Sequence, residues 1–154
     1  MALQIWLPLN GDTRQQGLSG AVMSGGPTSW GNGNLGKCAT FAGNKILKTE
    51  NMHDFDYQDN FSLTCWVNTA RGSGNVGRVD YSTFGYGLQC LSTSQCSARF
   101  GSSSWDFTVT GGQWTHIAFV KNGTNISIYV NGTRQINATF NGIAPTFADS
   151  IGLG

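Results

Sequence analysis

Charge is what this sequence has least of. Only 11% of its 154 residues are Asp, Glu, Lys or Arg, less than half the usual share of a soluble domain, and Glu50 is its single glutamate. The nine Lys and Arg are scattered, Lys45 and Lys48 being the densest local set, and the net charge is +1. No basic stripe exists to neutralise phosphates, so nucleic acid is not an expected partner. Long apolar runs are missing too: no stretch approaches the ~18 residues of a membrane-spanning helix. Residues Met1 to Pro8 have neither the basic start nor the small-residue cleavage site of a signal peptide, so neither membrane insertion nor Sec export is expected.

Metal-binding and nucleophilic patterns are equally sparse. There are two histidines and four cysteines; none of the cysteines forms a CxxC pair or has a His at ligand spacing, which argues against zinc. Cys38 and Cys65 fall inside apolar strand patterns, where a thiol acts as a small hydrophobe. Cys90 and Cys96 bracket a Ser/Thr/Gln loop, and two readings stay open there: free thiols, the default without export, or a bridge across the loop. No serine sits in a Gly-x-Ser-x-Gly turn. The five Asn-x-Ser/Thr triplets, at Asn60, Asn122, Asn125, Asn131 and Asn137, read as turn and strand chemistry in a chain without an export signal.

What is present is glycine, 22 residues, about twice the usual share, with many Asn, Ser, Thr and Gln and 12% aromatics. The aromatic and β-branched residues supply enough apolar area to offset the entropy of ordering. The length suits one domain, expected to span 1–154. A polar but uncharged surface of this kind suits a virion or an extracellular face.

Short Val/Ile/Thr/aromatic runs punctuated by Gly, Asn, Asp and Ser recur along the chain, with no sustained helical stripe. Strands are expected at Gln4–Leu9, Lys37–Phe41, Asn44–Leu47, Phe61–Val67, Val79–Phe84, Gly87–Leu91, Ala98–Phe100 and Phe107–Val109. Gly17–Gly36 is read as a long connection of loop and short strand, Thr49–Asn60 as an irregular acidic stretch and Ala70–Gly77 as a Gly-rich turn. In the run Phe61–Val67, period two places Phe61, Leu63, Cys65 and Val67 on the core face and Trp66 on the opposite, partly exposed one. Trp114–Val120, Ile126–Val130 and Arg134–Phe140, separated by Asn122-Gly123 and Asn131-Gly132, predict an antiparallel meander, because Asn and Gly tolerate the positive φ of hairpin turns. The fold class is therefore all-β, two antiparallel sheets packed as a sandwich or jelly roll. Ser150 to Gly154 reads as the start of another strand, so the domain is expected to lack its closing C-terminal strand, either because the sequence is truncated or because that strand comes from elsewhere.

Gly36-Lys37-Cys38-Ala39-Thr40-Phe41-Ala42-Gly43, Phe61-Ser62-Leu63-Thr64-Cys65-Trp66-Val67 and Gln113-Trp114-Thr115-His116-Ile117-Ala118-Phe119-Val120 with Ile128-Tyr129-Val130-Asn131-Gly132 together resemble the laminin-G-like family of the concanavalin A-like lectin/glucanase superfamily. The opening Ile5 to Gly11, with Gln16 to Ser19, is similar to laminin-G-like proteins of bacteriophages and prophages of gut bacteria. That resemblance implies a virion- or tail-associated protein, or one on a bacterial surface. Its partners would be a glycan or host cell surface and other structural proteins of the same assembly, and a homo-oligomer is compatible with it.

The superfamily contains glucanases, which need two carboxylates flanking the scissile bond; their paired glutamates are missing here, and no catalytic residue is assigned. The family pattern treats His116 as structural, and His53 is a loop residue without a partner. Many laminin-G-like domains hold calcium at one rim of the sandwich, a hard ion that takes oxygen ligands. The candidates are Asp54, Asp56, Asp59, Asn60 and Asp80, weighed against a plain solvated acidic loop. Glycan recognition needs an aromatic face with amides and hydroxyls beside it. The residues expected to supply it lie in or beside Gly/Ser-rich turns: Trp105, flanked by Ser102, Ser103, Ser104 and Asp106, Tyr86 in a hairpin turn at Gly85-Tyr86, and Tyr81, with Asn75 and Gln89, and also Phe84, Phe107 and Gln95; the competing reading puts these aromatics in the core. The expected function is a non-catalytic carbohydrate- or surface-binding module, with structural decoration through protein contacts as the alternative.

Overall fold

The computed structural model describes residues 8–14, 16, 22–42, 47–50, 60–69, 74–79, 86–144 and 151–153, of which 48–50, 74–79 and 151–153 as backbone. Among them are thirteen strands and no helix: β1 (Val22–Gly25), β2 (Ser29–Gly33), β3 (Gly36–Thr40), β4 (Leu47–Glu50), β5 (Phe61–Asn68), β6 (Gly74–Val79), β7 (Tyr86–Cys90), β8 (Gln95–Phe100), β9 (Ser103–Thr108), β10 (Trp114–Asn122), β11 (Asn125–Val130), β12 (Thr133–Thr139) and β13 (Ile151–Leu153). They form a seven-stranded sheet in the order β1-β4-β13-β6-β7-β8-β9, a four-stranded sheet in the order β12-β11-β10-β5, and the separate hairpin β2-β3. Every pairing is antiparallel.

Each sheet buries the apolar half of its alternation against the other. Tyr86, Leu88, Cys90, Cys96, Ala98, Phe100 and Phe107 come from the large sheet, and Phe61, Val67, Ile117, Phe119, Ile126, Ile128 and Val130 from the small one. Phe61 joins the layers: its ring lies 5.3 Å from Tyr86 and 5.9 Å from Phe100 across the sandwich, and 5.4 Å edge-on from Phe119 in its own sheet. Lys121 continues the inward side of β10, its stem buried and its ammonium 5.3 Å from the centre of the Phe100 ring, where the negative face of the π-system attracts it.

One flank of the sandwich is closed by a side-chain amide. Gln135 of β12 donates from Nε2 to the Thr108 carbonyl and accepts the Thr108 N–H on Oε1, both at 3.3 Å. The carboxamide thus offers the edge strand β9 the two bonds a neighbouring backbone would. At the other end of β9, Ser102 N–H donates to the Ile143 carbonyl, and Ile143 N–H to Ser102 Oγ, each at 2.9 Å.

The meander β10-β11-β12 and the strand at Phe61 stand as the alternation predicts. The connection Gly17–Gly36 contains two strands, β1 and β2, rather than one short one. The expected turn Ala70–Gly77 is corrected: Gly74 to Gly77 begin β6, which pairs with β7 through a register shift between Val76 and Arg78. Gly77, read as a turn residue, is taken up in that irregularity. Tyr86 opens β7 instead of turning a hairpin. The terminal Ile151–Leu153 is a strand, inserted between β4 and β6. The expected strands over positions 4–7, 44–46 and 80–84 lie outside the described residues.

Candidate functional site

The outward half of the alternation leaves two faces, one on each sheet. On the four-stranded sheet, β5 and β10 pair so that Trp66 faces His116, Thr64 faces Ala118 and Asn68 faces Trp114; Ala118 in turn faces Tyr129 of β11. Trp66 is 44% exposed, and its ring centre lies 5.2 Å from that of His116 with the planes inclined at 56°. The close approach follows from the backbone. His116 spends both its backbone groups on Asn131: its carbonyl accepts Asn131 N–H at 2.8 Å, and its N–H donates to Asn131 Oδ1 at 2.9 Å. It therefore faces β5 on a non-hydrogen-bonded rung, where opposed side chains stand nearest. Asn131, at φ 50°, has turned out of the strand conformation and completes the ladder with its side chain.

The outward face of the seven-stranded sheet is different in chemistry. Asn75, Gln89, Ser97 and Asp106 lie in one register row across β6, β7, β8 and β9. Arg78, Gly87, Arg99 and Ser104 form the next. Gln95 Nε2 donates to Asp106 Oδ2 at 3.2 Å, and Ser97 is nearly covered. This face offers amides, hydroxyls and charge; no aromatic residue stands in either row.

The expected ligand residues separate accordingly. Gln89 and Asn75 are brought together as cross-strand partners. Tyr86 and Trp105 are corrected. Tyr86 is 3% exposed, packed at a tilt against Phe61, and burial pushes its hydroxyl above the ordinary range, so it has no free face for a sugar. Trp105 is not in a loop: it sits in β9 on the same side as Phe107, partly buried against the core. Of the Ser-rich flank that suggested a turn, Ser103 and Ser104 belong to the same strand, Ser103 on the side of Trp105 and Ser104 on the opposite one. Phe107 is in the core as well. Tyr81, Phe84, His53 and the calcium candidates Asp54, Asp56, Asp59 and Asp80 lie outside the described residues; Asn60 is described and accepts the Gly123 N–H on its Oδ1. Among the described residues no group of three or more His, Cys, Asp or Glu is placed to hold a metal ion.

The residue that composition undervalued is Trp66. Its outward direction is legible in the alternation of Phe61–Val67, but its pairing with His116 depends on a β5–β10 register that no local pattern carries.

Two antiparallel sheets packed face to face make a jelly-roll sandwich, and sequence comparison agrees. Residues 41–153 match the laminin-G family described as the concanavalin A-like lectin/glucanases superfamily; the chain belongs to that family. Among solved structures, it is similar to domain 4 of an extracellular arabinanase from Geobacillus stearothermophilus, solved in complex with arabinotriose. The TM-score is 0.69 at 16% identity, over 100% of this chain and 84% of that one. It is also similar to the binding domain of botulinum neurotoxin DC in complex with SialylT, with TM-score 0.65 and 14% identity over 99% of this chain and 43% of that one. Laminin α1 domains LG4-5 from mouse give TM-score 0.52 and 15% identity over 66% of this chain and 30% of theirs. These likenesses concern the fold. No curated protein matches by sequence.

Proposed function

We propose that this chain is a non-catalytic carbohydrate-binding module, displayed on a phage virion or tail or on a bacterial surface, that holds its glycan on the outward face of the four-stranded sheet. The observation that carries the reading is the half-exposed indole of Trp66 set beside His116, with the exposed Thr64 and Asn68 next to it. A sugar ring presents C–H groups on its flat face and hydroxyls at its rim. An exposed indole takes the first, and hydroxyl, amide and imidazole groups take the second. The low charge and the Asn/Thr/Gly-rich composition fit a module that works outside a cell. The glycans named with two of the similar structures support the same class of ligand.

One platform with a few polar neighbours gives weak single-site binding, with Kd on the order of 1 mM, or about −4 kcal/mol; repetition in an assembly would raise the avidity. The test is a glycan array probed with the domain, in calcium and in chelator, beside Trp66→Ala. Saturable binding to one glycan class, reduced at least tenfold in the variant, is expected. Binding that survives Trp66→Ala, or no binding in either buffer, overturns the reading.

A second reading, assembly through protein contacts, draws on Leu35, which is 80% exposed at the tip of the β2-β3 hairpin, and on Val22 in the edge strand β1. It predicts self-association that Leu35→Ser abolishes and glycans leave unchanged.

A further inference from the structure

Cys90 ends β7 and Cys96 stands directly opposite it in β8. Both point into the core, 4% and 0% exposed. One rung toward the loop, Leu91 N–H donates to the Gln95 carbonyl at 2.8 Å. Hydrogen-bonded and open rungs alternate in an antiparallel pair, so Cys90 and Cys96 occupy an open one, where Cα atoms approach to about 4.5 Å. That separation lies within the 4.4–6.8 Å, roughly, that disulfides span. The two thiols already touch: they share a hydrogen bond.

We infer that Cys90 and Cys96 are an oxidisable pair that closes to a cross-strand disulfide when met by a disulfide oxidant such as oxidised glutathione. Cys90 loses its proton to solvent and attacks one sulfur of the oxidant, releasing one glutathione thiolate. Cys96, deprotonated in turn, attacks the Cys90 sulfur of the mixed disulfide and releases the second. The protein gives up two electrons and two protons, and the oxidant becomes two molecules of reduced glutathione.

The assignment of roles follows from the contact. The hydrogen bond from Cys96 stabilises the Cys90 thiolate and lowers its pKa, whereas that same bond first, then burial and the neighbouring thiols, raise that of Cys96. Cys65, the third thiol of the cluster, reaches toward them from β5; burial, and then the nearness of Cys90, push it up to about 12, which makes it a poor nucleophile. The pair lies one rung from an exposed loop, and fraying of a hairpin end opens such a rung at little cost. Closure would pin the loop that Thr69 Oγ1 holds by a hydrogen bond to the Thr93 carbonyl at 2.7 Å, and that Val109 N–H holds at the Ser94 carbonyl at 3.0 Å.

The test exploits the sequence: Cys90 and Cys96 fall on one tryptic peptide, 79–99. Reduced protein is exposed to oxidised glutathione both folded and during refolding from urea, then alkylated in denaturant, digested and weighed. The expected product is peptide 79–99 lacking two hydrogens and carrying no alkyl group, with Cys38 and Cys65 alkylated. The bridge is unaffected by Cys65→Ser, and a dithiol reductant reverses it. The oxidised protein melts roughly 5 °C higher, from the entropy removed by a short loop. Alkylation of both Cys90 and Cys96 under both regimes, or a bridge that maps to Cys65 or Cys38, overturns the inference.

Discussion

Amide and hydroxyl side chains take over backbone work in this chain, which is how a sequence so poor in charge holds its strand ends. Gln135 caps Thr108, Asn131 caps His116 and Asn60 caps Gly123. Replacing Gln135 by Leu leaves the Thr108 N–H and C=O of the edge strand to water and breaks the flank contact. The expected loss is about 1–2 kcal/mol in urea unfolding; a loss under ~0.3 kcal/mol would show the clamp to be incidental. Residue-level direction was legible where alternation was clean: Trp66 is outward because Phe61, Leu63, Cys65 and Val67 are inward. Trp105 and Tyr86 were misplaced because Ser and Gly beside an aromatic suggest a loop, whereas Ser103, Trp105 and Phe107 occupy one face of a strand. That period-two pattern was there to be read, outweighed by local composition.

Elements bounded by Asn-Gly were the most legible, since the turn residues fix the loop length and the first rungs of the pairing, although β11 and β12 shift register between Ile128 and Tyr129. β6 was not, because Gly74, Asn75 and Gly77 have poor strand propensity and become strand only through pairing with β7. The turn between β8 and β9 shows the same dependence on distant chain. Gly101 has φ 58°, and a Cβ there would collide with the Ile143 carbonyl oxygen, a backbone group that itself accepts from Ser102. Gly112 also has positive φ, 74°, but opens onto free space. Gly112→Ala should therefore cost only the conformational strain, about 1 kcal/mol, while Gly101→Ala should cost at least about 2 kcal/mol more or prevent folding. Equal melting temperatures for the two variants would contradict this account of the turn.

Across the whole molecule, the sandwich class followed from strand periodicity and turn chemistry, but which sheet each strand joins did not. β13 enters the middle of the larger sheet, and the Trp66–His116 pair exists only once β5 lies beside β10. The buried thiols give the fold a pH dependence of definite sign. With Cys65 raised from 9.0 to about 12, the unfolded chain of the reduced protein ionises that thiol from about pH 9 while the folded one does not. The group has no effect below pH 9. Between 9 and about 12 it lowers the unfolding free energy by about 1.4 kcal/mol per pH unit. Cys65→Ser should flatten the alkaline limb by about one proton's worth of slope; an unchanged limb would place the titration elsewhere.

On the proposed reading, the glycan lies on the outward face of the four-stranded sheet. An NMR titration of the labelled domain with an oligosaccharide selected on the array locates it directly. The expected perturbations are the Trp66 indole N–H, the His116 ring and the amides of Thr64, Asn68 and Asn131, with Gln89, Ser97 and Asp106 unmoved. Shifts confined to Gln89, Ser97, Arg99 and Asp106 would move the site to the seven-stranded sheet and contradict the account.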